Sequence, residues 1–264
     1  MSQVETRFAD GNLSEVVRVG DTVRRSQGPW SAAVHALLRH LEAVGFDGAP
    51  RFLGIDERGR EVLSFVEGET LRPDIRDSDD DLLAAVGRLL RRYHEAAASF
   101  VPPPGVAWRF CVGAPTEGEV VCHNDAGPWN VVVRDGRPVA LIDWDLAAPG
   151  PRTWDLAYAL WRFAPFYPSG ALGSLTRDFG TPAEQGRRGR VLCDGYGLAR
   201  AERTGLVELV ERRIRVSHDT LAARAAAGEP AWVRMVAEGH GADDAENIAY
   251  LRRHRAEIER HLRG

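Results

Sequence analysis

Three side chains near the middle of the chain, Asp125, Asn130 and Asp143, have the types and spacing of a phosphoryl-transfer site. They lie within residues 120–145, VVCHNDAGPWNVVVRDGRPVALIDWD. An aspartate can orient a hydroxyl and accept its proton, while an amide oxygen and a second carboxylate hold a divalent cation; transfer from ATP requires both functions. The apolar runs Asn130–Val133 and Val139–Ile142 flank Arg134-Asp135-Gly136-Arg137, where Asp-Gly signals a hairpin turn. A hairpin there brings its ends together and gathers the three side chains around one small volume. A lone His-x-Asp or a lone asparagine carries no weight; the spaced set between strand-like runs does. Turn-capping explains acids in loops, but not an acidic pair that follows a β-branched apolar run.

The order His123-Asn124-Asp125, then Asn130, then Ile142-Asp143-Trp144-Asp145 resembles the catalytic and metal-binding segment of the protein-kinase-like superfamily. Within it the segment is similar to the aminoglycoside phosphotransferase family, since protein kinases carry His-Arg-Asp and Asp-Phe-Gly instead. The resemblance implies an α+β, two-lobe kinase-like fold. A small antiparallel-sheet lobe with one helix would occupy residues 1–67. A larger, mainly helical lobe would occupy 68–264, with the catalytic segment at 120–145 and an acceptor-binding helical region at its C-terminal end. It also implies ATP and Mg2+, with Asp125 as the catalytic group and Asn130 and Asp143 as metal ligands. His123 would pack and orient the loop, Asp145 would support the metal site or be an auxiliary metal ligand, and Asp155 would hold the loop backbone. The Ser64 carbonyl and Val66 amide would face adenine.

Composition sets the outer bounds. The chain has 264 residues, enough for two lobes around one extended core. Its formal charge of -4 argues against a nucleic-acid binder. No apolar run reaches bilayer-spanning length, and the opening MSQVETRFADG lacks a basic-then-apolar leader, so a cytoplasmic protein is expected. Cys111, Cys122 and Cys193 lack the spacing of a zinc site or a disulfide framework. Cys122, in an apolar strand beside His123, reads as a packed thiol. All 34 basic residues are arginine, so no lysine can reach the phosphates.

Along the chain, Gln3–Ala9, Glu15–Val19 and Thr22–Arg25 read as a strand meander with turn signals between. The Gly11–Ser14 turn would lie over the ATP phosphates. No GxxxxGK[ST] sequence is present, which excludes the P-loop kinases. Alignment to the family pattern puts Arg24 at the phosphate-binding lysine position. The helix over Ser31–Gly45 has Val34 or His35 where a glutamate would hold that lysine, so Arg24 lacks the usual carboxylate partner. Arg51–Ile55 and Glu61–Val66 complete a five-stranded sheet. Ser78 reads as the N-cap of a helix over Leu82–Phe100, with Asp79, Asp80 and Asp81 as first-turn acids. His94 reads as a packed histidine. Ala147–Pro151 reads as a rigid loop, and a helix follows from Trp154.

Three more helices are expected near 182–199, 201–226 and 242–262. Their acids Asp194, Glu202, Glu208, Glu229, Glu238, Asp243, Asp244 and Glu246 could attract a polycationic, aminoglycoside-like acceptor. They alternate with arginines, however, and read better as a salt-bridged face. The partner expected is a small-molecule hydroxyl acceptor, with no nucleic acid and no membrane. A second reading comes from the runs Thr22-Val23-Arg24-Arg25 and Leu37-Leu38-Arg39-His40-Leu41-Glu42. They are similar to those of bacteriocin (trifolitoxin) immunity proteins, which implies a weak or inactive kinase-like protein that sequesters a toxic compound.

Overall fold

The computed structural model describes residues 5–7, 16–71, 79–168 and 179–264. The Gly11–Ser14 turn and Ser78 lie outside them. The chain opens with an antiparallel sheet of β1 (Glu5–Arg7), β2 (Val16–Val19), β3 (Thr22–Arg25), β4 (Phe52–Ile55) and β5 (Glu61–Ser64), in the order β1-β2-β3-β5-β4. Between β3 and β4 runs α1 (Ser31–Ala43), whose Val34, Leu37, Leu38 and Leu41 fall on one buried stripe at helical spacing. The expected helix and five-strand sheet are therefore present among the described residues.

The helix expected from Leu82 is α2 (Asp80–Ala97), and its cap is Asp79. The Leu82 N–H donates to Asp79 Oδ1 at 2.8 Å, while Asp80 and Asp81 lie in the first turn, where the helix dipole favours acids. Next come β7 (Val120–Cys122), a 3₁₀ turn over Pro128–Asn130, and the hairpin of β8 (Val131–Arg134) and β9 (Arg137–Leu141). β6 (Glu69–Thr70) lies along β8. The hairpin closes as the Asp-Gly pair predicts, with φ of 51° at Asp135 and 72° at Gly136. Asn130, expected in the strand, belongs to the 3₁₀ turn instead.

Ala148–Gly150, expected as loop, is a short strand, β10, paired antiparallel with β7. A proline is tolerated there because a two-stranded ribbon has free edges. The remaining helices are α3 (Arg152–Phe163), α4 (Pro182–Tyr196), α5 (Leu206–Ala226), α6 (Pro230–Ala237) and α7 (Asp244–Arg263). The sequence reading missed α6, a two-turn helix between Gly228 and Gly239. Trp144, Trp154 and Trp161 are fully buried and anchor the large core between α2, α3 and the catalytic hairpin.

α2 and α4 approach closely because each carries a glycine at the contact. A methyl on Gly195 would lie 2.1 Å from the Ala84 carbonyl oxygen, and one on Gly87 2.3 Å from that of Leu192. Both obstacles are backbone and cannot rotate aside. Gly195→Ala is therefore expected to destabilise the protein by about 2 kcal/mol through overpacking. A urea melt should show this as a lower midpoint, whereas a midpoint equal to wild type would mean that the two helices can part without cost.

Candidate active site

The site begins with a buried carboxylate. Asp155, on the first turn of α3, is fully buried, and a charge there must be hydrogen-bonded to persist. Its Oδ2 accepts the His123 N–H at 2.6 Å and its Oδ1 the Asn124 N–H at 2.7 Å. His94 Nε2 donates to Oδ2 at 3.1 Å, and the Tyr196 hydroxyl donates to His94 Nδ1 at 2.8 Å. Burial alone would raise the Asp155 pKa; these donors more than offset it and hold the pKa below the ordinary value. His94 thus sits in the packed role expected for it, beneath the loop.

With its amide pinned, Asn124 takes a left-handed backbone (φ 65°) and its Nδ2 donates to the Leu146 carbonyl at 2.9 Å. The next residue, Asp125, is turned into a cleft. His123 is buried against Trp144, with ring centroids 4.5 Å apart. Its Nε2 donates to the Ile142 carbonyl at 3.1 Å, and its Nδ1 accepts the Asp125 N–H at 3.3 Å. Both ring nitrogens are occupied, and burial lowers the ring's pKa, so the imidazole is a neutral strut between loop and hairpin.

Asp125 and Asn130 are joined side chain to side chain. Asn130 Nδ2 donates to Asp125 Oδ2 at 2.8 Å and to the Asp125 carbonyl at 2.9 Å. That fixes the amide so its oxygen is left for another partner. The Ile142 N–H donates to the Asn130 carbonyl at 2.9 Å, which brings Asp143 to the same place. Asp143 has a left-handed backbone (φ 61°) and keeps 39% of its side chain exposed. Non-glycine residues in that region are uncommon and gather at functional sites. The sequence-selected Asp125, Asn130 and Asp143 are thus brought together.

Burial raises the Asp125 pKa to about 6; the Tyr158 hydroxyl opposes that rise and the Asp143 charge adds to it. Tyr158, from α3, donates to Asp125 Oδ1 at 2.5 Å, and Trp129 Nε1 approaches Oδ2 at 3.4 Å. Neither residue was singled out from sequence. Tyr158 lies three residues after Asp155, so the helix that clamps the loop also presents this phenol to the aspartate.

The cation at the site is Arg25, not Arg24. Side chains alternate along a strand, so Val23 and Arg25 share one face of β3 and Arg24 takes the other. Arg24 reaches Asp56 at 3.5 Å, away from the cleft. Arg25 is buried and faces three carboxylates: Glu61 through Nε, Asp143 Oδ1 at 2.8 Å and Asp145 Oδ1 at 2.8 Å. Burial disfavours its charge, but Asp145, Asp143 and Glu61 overcome that and push its pKa above the usual value.

The partner carboxylate expected to be missing from α1 comes from β5 instead. His35 of α1 donates through Nε2 to Glu61 Oε2 at 2.5 Å and stacks on Phe52 with centroids 3.8 Å apart. Burial raises the Glu61 pKa, but the hydrogen bond from His35 and the charge of Arg25 bring it below normal. Asp145, buried, is pushed up by burial and by Asp143 and Glu61, against the pull of Arg25. Ser64 lies opposite Thr22 in the β3–β5 pairing and accepts the Arg51 N–H at its Oγ at 2.8 Å; Val66 follows β5, half-buried. A groove of about 540 Å³ is lined by Gly68–Leu71 and Val133–Gly136, and none of Asp125, Asp143 and Asp145 lines it.

The donor set suits magnesium. Asn130 Oδ1 and the Asp143 carboxylate offer oxygen atoms beside Asp125, and Mg2+ takes one or two such ligands plus phosphate and water. Among the described residues no cluster of three or more His, Cys, Asp or Glu side chains could hold a metal alone. A site completed by nucleotide phosphates fits that observation.

A two-lobed kinase-like fold, with the Asp125 loop and the β8–β9 hairpin meeting under a small sheet, is the class that this architecture defines. Residues 107–190 match the family model described as the phosphotransferase enzyme family. The chain is 43% identical over 213 residues to a trifolitoxin immunity protein of Rhizobium leguminosarum bv. trifolii, covering 77% of this chain and 78% of that protein. Among solved structures it is similar to an amicoumacin kinase in complex with AMP-PNP, Ca2+ and Ami, with a TM-score of 0.66 and 15% identity over 97% of this chain and 88% of that one. A choline/ethanolamine kinase family protein from Mesorhizobium loti gives a TM-score of 0.57 and 16% identity over 95% and 93%. The chain belongs to the phosphotransferase enzyme family of kinase-like proteins.

Removing Arg25 strands Glu61 and Asp145 in the core without their cation. Arg25→Met is expected to cost about 3–5 kcal/mol, the usual penalty for breaking a buried pair from one side. Adding Glu61→Leu should recover part of it, because it removes one of the stranded charges. Chemical denaturation of the two variants reads this; a double variant less stable than Arg25→Met would refute the pairing.

Proposed function

We propose that the protein transfers the γ-phosphoryl group of ATP to a hydroxyl of a small molecule. The observation that carries this reading is the triad itself: Asp125 bonded to Asn130, with Asp143 brought alongside by the hairpin. Asp125 would orient the acceptor hydroxyl and take its proton as the acceptor oxygen bonds to the γ-phosphorus. The bond from that phosphorus to the β-bridging oxygen breaks, and its electron pair leaves with ADP. Asn130 Oδ1 and Asp143 would hold magnesium, which would offset the charge of the phosphates. His123, Asp155 and Asp145 fix these groups without touching substrate. Arg25 would serve the α- and β-phosphates, and doing so means exchanging the Asp143 carboxylate for phosphate oxygens. Adenine would lie against the Ser64 carbonyl and Val66 amide, with the small lobe ending near residue 67. No helix among the described residues is long and apolar enough to cross a membrane.

A second reading is favoured by two observations. The 43% identical relative is described as an immunity protein, and Arg25 already neutralises both Asp143 and Asp145. On that reading the cleft binds a toxic compound and releases it unmodified. Retention of all three chemistry-bearing residues favours transfer, since sequestration has no use for them.

ADP release with an acceptor panel separates the two. Asp125→Ala should lower kcat by about a thousandfold or more while calorimetry still shows ATP binding, and normal turnover in this variant would sink the assignment. Asp143→Ala should remove the magnesium dependence of ATP binding. Asp125 acts as base only when ionised, so kcat should rise as pH passes through about 6 and level off above it. In Tyr158→Phe, which lacks the hydroxyl that holds the pKa down, that rise should move to higher pH.

A further inference from the structure

Beside Asp125 stands a cation, Arg162, that no carboxylate of the described residues pairs with at ion-pair distance. Arg162, on α3 one turn beyond Tyr158, is partly exposed, and its guanidinium stacks on Trp161 with 3.4 Å between Cζ and the ring centroid. It also lies 5.2 Å from the rings of both Trp129 and Tyr158. NH1 donates to the Tyr167 hydroxyl at 2.7 Å, and Nε is buried without a partner. Among the described residues no carboxylate comes within ion-pair distance of Arg162. The Asp244 charge is felt at Arg162, but that carboxylate is engaged by His218 Nδ1 at 3.3 Å. Trp129, 37% exposed, stands edge-on to Tyr158 and forms the open wall beside the Asp125 carboxylate.

Most of the acids that could have drawn a polycation are engaged elsewhere. Asp194 pairs with Arg203, Glu208 with Arg255, Glu229 with Arg224, and Glu238 with Arg234. Glu202 accepts the Ala199 N–H. A polyammonium acceptor at Asp125 would meet Arg162, and a like charge at close range is repulsive. An anionic one would find a charged guanidinium, which attracts a carboxylate, beside a flat apolar surface.

Resting on the phosphotransferase reading, we infer that the acceptor is a hydroxy acid: Arg162 holds its carboxylate, Trp129 packs on an aromatic or apolar group, and its hydroxyl meets Asp125. Transfer then makes the oxygen–phosphorus bond on that hydroxyl, with the proton passing to Asp125 and ADP leaving.

Three matched probes test this: N-benzoylserine, its N-methylamide, and the analogue with a primary amine in place of the carboxylate. All share the hydroxyl and the aryl group and differ in charge. The expected result is a KM for the acid about tenfold below that of the amide, with the amine poorest. Arg162→Gln should bring the acid-to-amide ratio to near one, and Arg162→Lys should restore part of it. Equal use of acid and amide, preference for the amine, or a ratio unchanged in Arg162→Gln would overturn the inference. Equilibrium binding of the same probes without nucleotide gives a second readout. If ATP neither binds nor is consumed, the phosphotransferase reading fails by itself, and acid-selective binding lost in Arg162→Gln would still uphold the anionic site. Binding with no charge preference would overturn it.

Discussion

The site depends on one buried negative charge. Asp155 is sealed from water, so it can remain ionised only by collecting donors, and the donors it collects are the amides of His123 and Asn124. That requirement forces the loop into its left-handed turn and sets the direction in which Asp125 leaves the backbone. The same helix supplies Tyr158 to the Asp125 carboxylate one turn later. Loop geometry, orientation of the Asp125 carboxylate and its raised proton affinity therefore share a single support. Loss of the Asp155 charge would disturb all of them before it disturbed the core.

A second dependence ties the two lobes. In a chain without lysine the cation in the cleft is a guanidinium, which has five donors in a rigid fork where an ammonium has three on a flexible stem. Arg25 uses that fork to bind Glu61 in its own sheet and Asp143 and Asp145 across the cleft. The carboxylate that steadies it comes from a neighbouring strand, and α1 contributes through the His35–Glu61 bond. Movement of α1 would thus reach Arg25 in two steps, through Glu61.

Legibility in the sequence followed the range of the interactions. The catalytic segment could be read because its residues are close in sequence and lie between runs of strand-like alternation. Asp155 could be placed because it opens a helix just beyond that segment. Arg25 was misread as Arg24 because tandem arginines hide the alternation, although Val23 one step earlier marks the inward face. Glu61 was out of reach, being 36 residues away and tied to Arg25 only by the β3–β5 pairing. Tyr158 and Arg162 look like ordinary members of an amphipathic helix until α3 is docked beside the loop. α6 has two turns between glycines, and β10 reads Ala-Pro-Gly, so local preference argued against both elements.

The Arg109 side chain gives the cleft a different kind of joint. It lies between two indoles, 4.2 Å from the ring of Trp30 on the small-lobe side and 5.7 Å from that of Trp232 on α6. Its nearest carboxylates, Asp145 and Glu229, stand off at 4.0 and 3.8 Å. Contact of this sort is buried and rests on dispersion and the ring quadrupoles, so dissolved ions screen it far less than the exposed arginine–glutamate pairs of the helical face. The contact that joins Trp30 to α6 through Arg109 is accordingly built to tolerate swings in ionic strength that would loosen the outer surface of the molecule.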